Sequence, residues 1–314
     1  MNSDLPTVEQ LAEFSLAAQH PLTRQWLDDK TRLERLAEIH EFDLELATDL
    51  ELAEQRAAFF DVGQDAASFL NRWVSVPPDL HAMLSIRFQG LDVTKPFVDA
   101  SLLSRPLTEL DVPALAEIAR EIYGAFKPLY LRLWSAAPAG HFAGTQSDKR
   151  FLAAPLAELS KGDAPPELSL SPARDLAHYA DAQAAYDNVD AQHPKHTGQA
   201  RMQDDESLLE SIEAGTLFDV WVGGEWAGYV GANSDTEGDG DTLGLDAYVV
   251  QEIILAPAFR GHGYGAALST LLARSLPEQQ RVLIGTIHAE NWGAITGALR
   301  AGRVDVGGWV QVGL

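Results

Sequence analysis

The 314-residue chain predicts an α/β (α+β) fold: a mixed sheet flanked by helices in its second half, preceded by an N-terminal helical plus α/β domain. Three observations carry this. An apolar, β-branched run from Tyr248 to Leu255 leads into a glycine-rich helix start, two alternating runs flank Gly223-Gly224, and Thr7 to about Asp61 places apolar residues at helical spacing. A hydrophobic content of 46% is enough to bury a large core, and the length favours two domains over one.

The elements follow in order. Leu33, Leu36, Ile39 and His40, then Leu44, Leu46 and Leu50, define a helical lead segment. From Leu80 to Leu103 the pattern changes to two strands around a turn at Gly90 to Thr94. Pro106, Asp111 and Pro113 introduce a helix through Ile122, and Tyr130 to Trp134 reads as the strand that completes a β-α-β half-unit. In Ser160 to Pro172, Gly162, Asp163, Pro165 and Pro166 block both periodicities, so this stretch is the linker candidate and divides the chain into 1–162 and 163–314. Beyond it come a strand at Leu168 to Leu170, helices over Asp175 to Tyr186 and Glu206 to Ala214, and a hairpin turning at Gly223-Gly224. The loop Asn233 to Gly244 leads to the strand ending at Leu255. A strand at Arg281 to His288, a helix from Asn291 to Arg300 and two short strands complete the order.

Composition narrows the function. A net charge of −23 disfavours nucleic acid and anionic membrane surfaces as partners and is compatible with amine-bearing ones, although solubility alone accounts for such a charge. The absence of cysteine excludes a thiol nucleophile, a disulfide and a thiolate metal site. Met1 to Gln10 has neither the basic nor the apolar region of a secretion signal, and no apolar run approaches membrane-spanning length, so a cytoplasmic protein is expected.

The chemistry concentrates after Leu255. Pro257 ends the strand, and the next helix has its apolar face at Leu268, Leu271, Leu272 and Leu276. Gly261, Gly263 and Gly265 let the backbone approach a ligand without Cβ clashes. The N–H groups of Gly261, His262, Gly263, Tyr264, Gly265 and Ala266 can therefore converge on phosphate oxygens at the positive end of the helix, beside the Arg260 cation. A dinucleotide reading takes Gly261-x-Gly263-x-x-Ala266 with Glu290 as the ribose ligand. Pro257 to Arg260 intervene, however, and too few residues follow Glu290 to complete a doubly wound sheet. Without Gly-Lys-Ser/Thr there is no Walker-type loop. Asp235-x-Glu237-x-Asp239-Gly240 with Asp246 nearly spells a calcium loop, but its flanks read as strands and Asp246 is too short to close it, so a solvated acidic loop is expected and no metal site.

Arg260-x-x-Gly263-x-Gly265 after a strand and Pro257, followed by Asn291-x-x-Ala294 and Gly302, resembles the coenzyme A signature of the GNAT superfamily of N-acyltransferases over Glu167 to Leu314. The unit around Phe97 to Trp134 resembles a degenerate first copy. The resemblance implies a centrally splayed sheet and acetyl-CoA as co-substrate, lying between the strands that end at Leu255 and His288. It implies acetyl transfer by direct attack of a small-molecule amine or a protein amino group. The amides of Gly261 to Ala266 with Arg260 would hold the pyrophosphate, Asn291 would lie at the coenzyme, and an N–H at Ile254 or Leu255 would stabilise the thioester oxyanion. Glu252 would be the base, its pKa raised by burial beside Ile253 and Ile254, or else a rim carboxylate paired with a cation; Asp246 and His288 are reserves. Ala298 and Arg303 stand where the family usually has Tyr and Phe, so Tyr264 or Tyr248 would have to replace the general acid. Trp221, Trp226 and Tyr229 on the hairpin would line the acceptor side, or, for at least half of them, pack in the core. A catalytically silent acyl-CoA-binding or sensor protein is the alternative.

Overall fold

The structure, a computed structural model, describes residues 5–192, 201–234 and 243–314. The chain forms two compact units, one of Met1–Lys149, Asp241–Leu245 and Val306–Leu314, the other of Arg150–Gly240 and Asp246–Asp305.

The first unit begins with helices α1 (Val8–Ala17), α2 (Asp29–Thr48) and α3 (Leu50–Phe60). Each starts where Thr7, Asp28 or Asp49 accepts an N–H of the first turn. Strands β1 (Arg72–Val76), β2 (Leu80–Phe88) and β3 (Pro96–Leu103) form an antiparallel meander. Helix α4 (Asp111–Tyr123) then crosses over to β4 (Tyr130–Ser135), which runs parallel to β3. Period-two alternation sorts the side chains. Leu84 and Ile86 of β2, Val98 and Ala100 of β3, and Leu131 and Leu133 of β4 pack with α4 and α3 into the larger core. The opposite face of the same strands carries Met83, Ser85, Arg87, Asp99 and Trp134, with Leu11 of α1 packed on Met83 and Leu102.

The second unit contains most of β5 (Gln146–Pro155), then α5 (Leu156–Leu159), β6 (Leu168–Pro172), α6 (Tyr179–Gln192), α7 (Asp205–Glu213), β7 (Leu217–Val222) and β8 (Glu225–Asn233). It continues with β9 (Ala247–Leu255), α8 (Tyr264–Ser275), β10 (Val282–His288) and α9 (Trp292–Arg300), and ends within the last strand, β11 (Val304–Gly313). Its strand order is β5-β10-β9-β8-β7-β6. The pairs from β6 to β9 are antiparallel and β9 with β10 is parallel. Leu268 and Leu272 of α8, with Leu276 just after it, cover one face of this sheet against Val220, Val230, Tyr248 and Leu283. Helices α6 and α7 cover the other through Ala182, Ala185, Tyr186 and Leu208 against Tyr229 and Ile254. The mixed sheet flanked by helices is thus the fold class the sequence predicts.

Several local expectations are corrected. The C-terminus is one strand, because Gly307 (φ 133) bends the chain without ending it and residues 308–313 pair with β4 in the first unit. Strands β1 and β5 were not anticipated. Helix α6 starts late, since Asp175 Oδ1 accepts the Ala177 N–H at 2.9 Å in a turn, and it runs on to Gln192. The units do not divide at 162/163: Ser160 to Pro172 lies inside the second unit, where its glycine and prolines break periodicity between α5 and β6 rather than between domains. The acidic segment Asp235 to Gly240 lies outside the described residues. Among the described residues no helix is long and apolar enough to cross a membrane.

Candidate functional site

The glycine-rich turn between β9 and α8 is open. Gly261 (φ 79) and Gly263 (φ 85) are left-handed, a conformation that glycine adopts without strain. A Cβ added at Gly261, Gly263 or Gly265 would meet nothing within 4 Å. No side chain caps α8, and the amides of residues 261–265 donate to no group among the described residues. A row of unused N–H donors at a helix N-terminus is an anion site in waiting.

Strands β9 and β10 pair only at Ala247–Val249 with Val282–Ile284, and then separate. Beyond that point β9 keeps β8 on one side, up to Leu255 opposite Gly228. The ladder distinguishes the two oxyanion candidates. Ala256 donates to Ala227 at 2.8 Å, so by antiparallel alternation the Ile254 amide also faces β8 while the Leu255 amide faces away, toward the splayed side. Leu255 O, on that same side, accepts from Arg260 Nε at 2.7 Å.

That bond revises the expectation for Arg260. Its guanidinium also donates to Asn188 Oδ1 at 3.1 Å and Ala185 O at 2.7 Å. The side chain braces α6 against the end of β9 instead of reaching over the glycines, and burial lowers its pKa. Asn291 caps α9, its Oδ1 accepting from Ala294 N–H at 3.1 Å, which leaves its amide N–H groups without an acceptor among the described residues. His262 is exposed and Tyr264 half-buried.

Glu252 is fully buried on the face of β9 beneath α6. It accepts a hydrogen bond from the Tyr186 hydroxyl and one from the Gln203 amide at 2.8 Å, and among the described residues no cation pairs with it; its burial places it inside the unit rather than on a rim. Burial pushes its pKa up to about 7 against the lowering pull of those two donors. Burial and the neighbouring carboxylate push Tyr186 well above its ordinary value. On the same face, Asp219 of β7 lies opposite Tyr229, which lies opposite Ile254. Asp219 accepts from Trp226 Nε1 at 2.9 Å, its pKa is raised by burial, and Trp226 stacks on His178 at 4.4 Å. Tyr186, Asp219 and His178 were not singled out from the sequence. Nothing in the spacing of α6 signals that Tyr186 reaches a strand residue 66 positions away.

The reserve groups fall elsewhere. Asp246 pairs with Arg281 at 3.3 Å, nine residues and about 30 Å of strand from Leu255. Tyr248 is buried under the Arg281 guanidinium, and the Tyr264 hydroxyl donates to Glu167 at 3.3 Å. His288 Nδ1 accepts from the Glu290 amide at 3.3 Å. Ala298 is buried. Arg303 is buried between α8 and β10, bonded to Ser269 Oγ at 2.9 Å, its Nη1 over Gly285, its Nε without a partner and its pKa lowered to about 10 by burial. A buried cation with one hydrogen bond and no carboxylate weakens the fold. Arg303→Met is therefore expected to raise the melting temperature by several degrees in a thermal scan without ligand. Among the described residues no cluster of three or more His, Asp or Glu is placed to hold a metal ion.

Residues 182–296, the part of the chain that holds Glu252, the glycine turn and Asn291, match the model of the acetyltransferase (GNAT) family. Solved structures with similar folds include a GCN5-related N-acetyltransferase from Sphaerobacter thermophilus (13% identity, 98% of this chain and 94% of that one, TM-score 0.49). Others are a GNAT-family acetyltransferase from Colwellia psychrerythraea (14%, 84% and 96%, 0.47) and a GCN5-related N-acetyltransferase from Kribbella flavida (16%, 85% and 95%, 0.44). No curated protein matches the chain.

Proposed function

We propose that the second unit is an acetyl-CoA-dependent N-acetyltransferase acting on a small-molecule amine or a protein amino group. The observation that carries this reading is the row of uncapped amides at residues 261–265, directly after a strand that bears the buried Glu252. The fit to a coenzyme pyrophosphate is good on two counts: the donors are unused, and the space above the three glycines is empty. Acetyl-CoA would supply the activated acyl carbon.

The residues divide the remaining work. The amides from Gly261 to Ala266 bind the pyrophosphate, and Asn291 offers its side-chain N–H groups nearby. Arg260 fixes the strand end. The Leu255 amide donates to the thioester oxygen as negative charge grows there, whereas the Ile254 amide belongs to the β8 ladder. Glu252, with a pKa of about 7, is poised to take a proton from an attacking amine at neutral pH. Its two oxygens already accept from Tyr186 and Gln203, so the proton passes through the Tyr186 hydroxyl: the oxygen accepts it from the amine side while its own proton moves to Glu252. Tyr186→Phe removes both the relay and a hydrogen bond that lowers the Glu252 pKa. A fall in kcat and a shift of the acidic limb of the pH–rate profile to higher pH are expected together.

Ala298, where the family usually has tyrosine, favours a second reading, a silent acyl-CoA binder. Thiol release from acetyl-CoA across a panel of amines separates the two. Release above the no-amine rate supports transfer, and coenzyme binding without release supports the silent binder. Stabilisation by NAD but not by acetyl-CoA in a thermal-shift titration would defeat both.

A further inference from the structure

We propose that the first unit carries a separate small-molecule site whose ligand is a zwitterionic α-amino acid with an apolar side chain. A cavity of about 220 Å³ lies between α1–α2 and the polar face of β2, β3 and β4. That is smaller than the roughly 300–1,000 Å³ of sites for drug-sized ligands and suits a small metabolite better than a coenzyme or a nucleotide.

The cavity has unmet hydrogen-bonding capacity. His40 Nε2, Asn71 Oδ1 and Ser85 Oγ all line it, are buried and have no partner, although buried polar groups are nearly always satisfied. Their chemistry is specific. His40 Nδ1 lies 2.8 Å from Asp43 Oδ2, and in the Nδ1–H tautomer, which donates to that carboxylate, Nε2 is an acceptor. Asn71 Nδ2 donates to Asp43 O at 3.4 Å, leaving Oδ1 as a second acceptor lining the cavity. Two acceptors next to the Asp43 carboxylate suit an ammonium group.

A carboxylate has its own place. Arg87 follows Ser85 on the same face of β2, lines the cavity half-buried, and has no hydrogen-bond or ion-pair partner among the described residues. Asp99, opposite Ser85, is already engaged by Arg132 at 3.0 Å and Ser101 Oγ at 2.6 Å. Arg87 and the Ser85 hydroxyl are therefore available to a ligand carboxylate. Trp134, Met83 and Leu102 provide the apolar wall for its side chain.

The β3–α4 connection of the first unit, Ser104 to Leu110, forms no phosphate cradle and contains no glycine. Asp111 fills the start of α4 by accepting from the Thr108 amide at 2.7 Å and from Arg105 at 2.8 and 3.0 Å.

The test uses the intact chain, with thermal shift and calorimetry against L-leucine and L-phenylalanine, and with 3-methylbutylamine and 4-methylpentanoate as half-molecules. One of the amino acids should raise the melting temperature, and each half-molecule should bind at least about tenfold more weakly. Arg87→Met should weaken amino-acid binding by a similar factor and leave acetyl-CoA binding unchanged. Ser85→Leu, which fills the cavity, should abolish it; if that variant does not fold, Arg87→Met decides alone. No shift with either amino acid at millimolar concentration, a half-molecule that binds as tightly, or a shift that Arg87→Met leaves intact would overturn the proposal.

Discussion

Gly265→Val is expected to leave the chain folded and to remove its affinity for acetyl-CoA. The position lies in the first turn of α8 with φ outside the left-handed region, and a Cβ there meets nothing within 4 Å. Valine is therefore accepted without strain and is a slightly better helix former than glycine, by a few tenths of a kcal/mol. Its methyl groups would occupy the space through which phosphate oxygens must approach the amides of residues 261–265. Losing two such hydrogen bonds to a charged group, at about 1.5–3 kcal/mol each, weakens binding by two orders of magnitude or more. Far-UV circular dichroism and calorimetric titration of the same preparation provide the check. Wild-type affinity in a folded variant would mean that the cradle holds no pyrophosphate. Gly263→Val is the wrong control, because φ 85 would add backbone strain to the blocked site.

Glu252→Gln is expected to lower kcat by about two to four orders of magnitude and to abolish the acidic limb of the pH–rate profile near pH 7. Stability should respond with the opposite sign at alkaline pH. Folding raises the carboxyl pKa from 4.5 to about 7, so the native state holds a proton that the unfolded chain releases. That contribution is fully present below about pH 4.5, fades as pH rises through 7, and amounts to about 3 kcal/mol at 1.36 kcal/mol per pH unit. Glutamine is neutral throughout. The melting temperature of the variant relative to the wild type should thus climb by roughly 6–12 °C between pH 4.5 and pH 8, at about 2–4 °C per kcal/mol. A difference that does not change with pH would show that Glu252 is not held protonated by burial.

Features set by local sequence were readable, and features set by packing were not. The glycine turn could be read because glycine spacing, a strand end and a helix start are contiguous. Glu252 could be singled out by its place on a strand, but its partner Tyr186 could not, since only the docking of α6 on β9 brings the two together. The bracing contacts of Arg260 were not legible for the same reason: a guanidinium at the end of a long, flexible side chain goes where acceptors are, and those acceptors belong to α6 and Leu255. Strand β5 escaped notice because its outer half is polar and its inner half alanine-rich, which reads as helix. The polar alternation of β2, Ser85 and Arg87 against Leu84 and Ile86, reads as a solvent-facing side. It is instead roofed by α1 and α2, and a cavity survives there.

Modularity is what this polypeptide lacks. The chain passes from one unit to the other at residues 149/150, 240/241, 245/246 and 305/306. A gene fragment beginning near residue 160 would discard β4, the ladder partner of residues 308–313, and Arg32, whose guanidinium donates to Leu243 O at 2.9 Å. Its last strand would present a row of unpaired backbone groups, an invitation to aggregate. The first unit is thus assembled from segments that the second unit's residues separate in the chain. Insertions, deletions or domain transplants that are harmless in a beads-on-a-string protein should fail here, and functions can be apportioned between the units only by point substitutions in the whole chain.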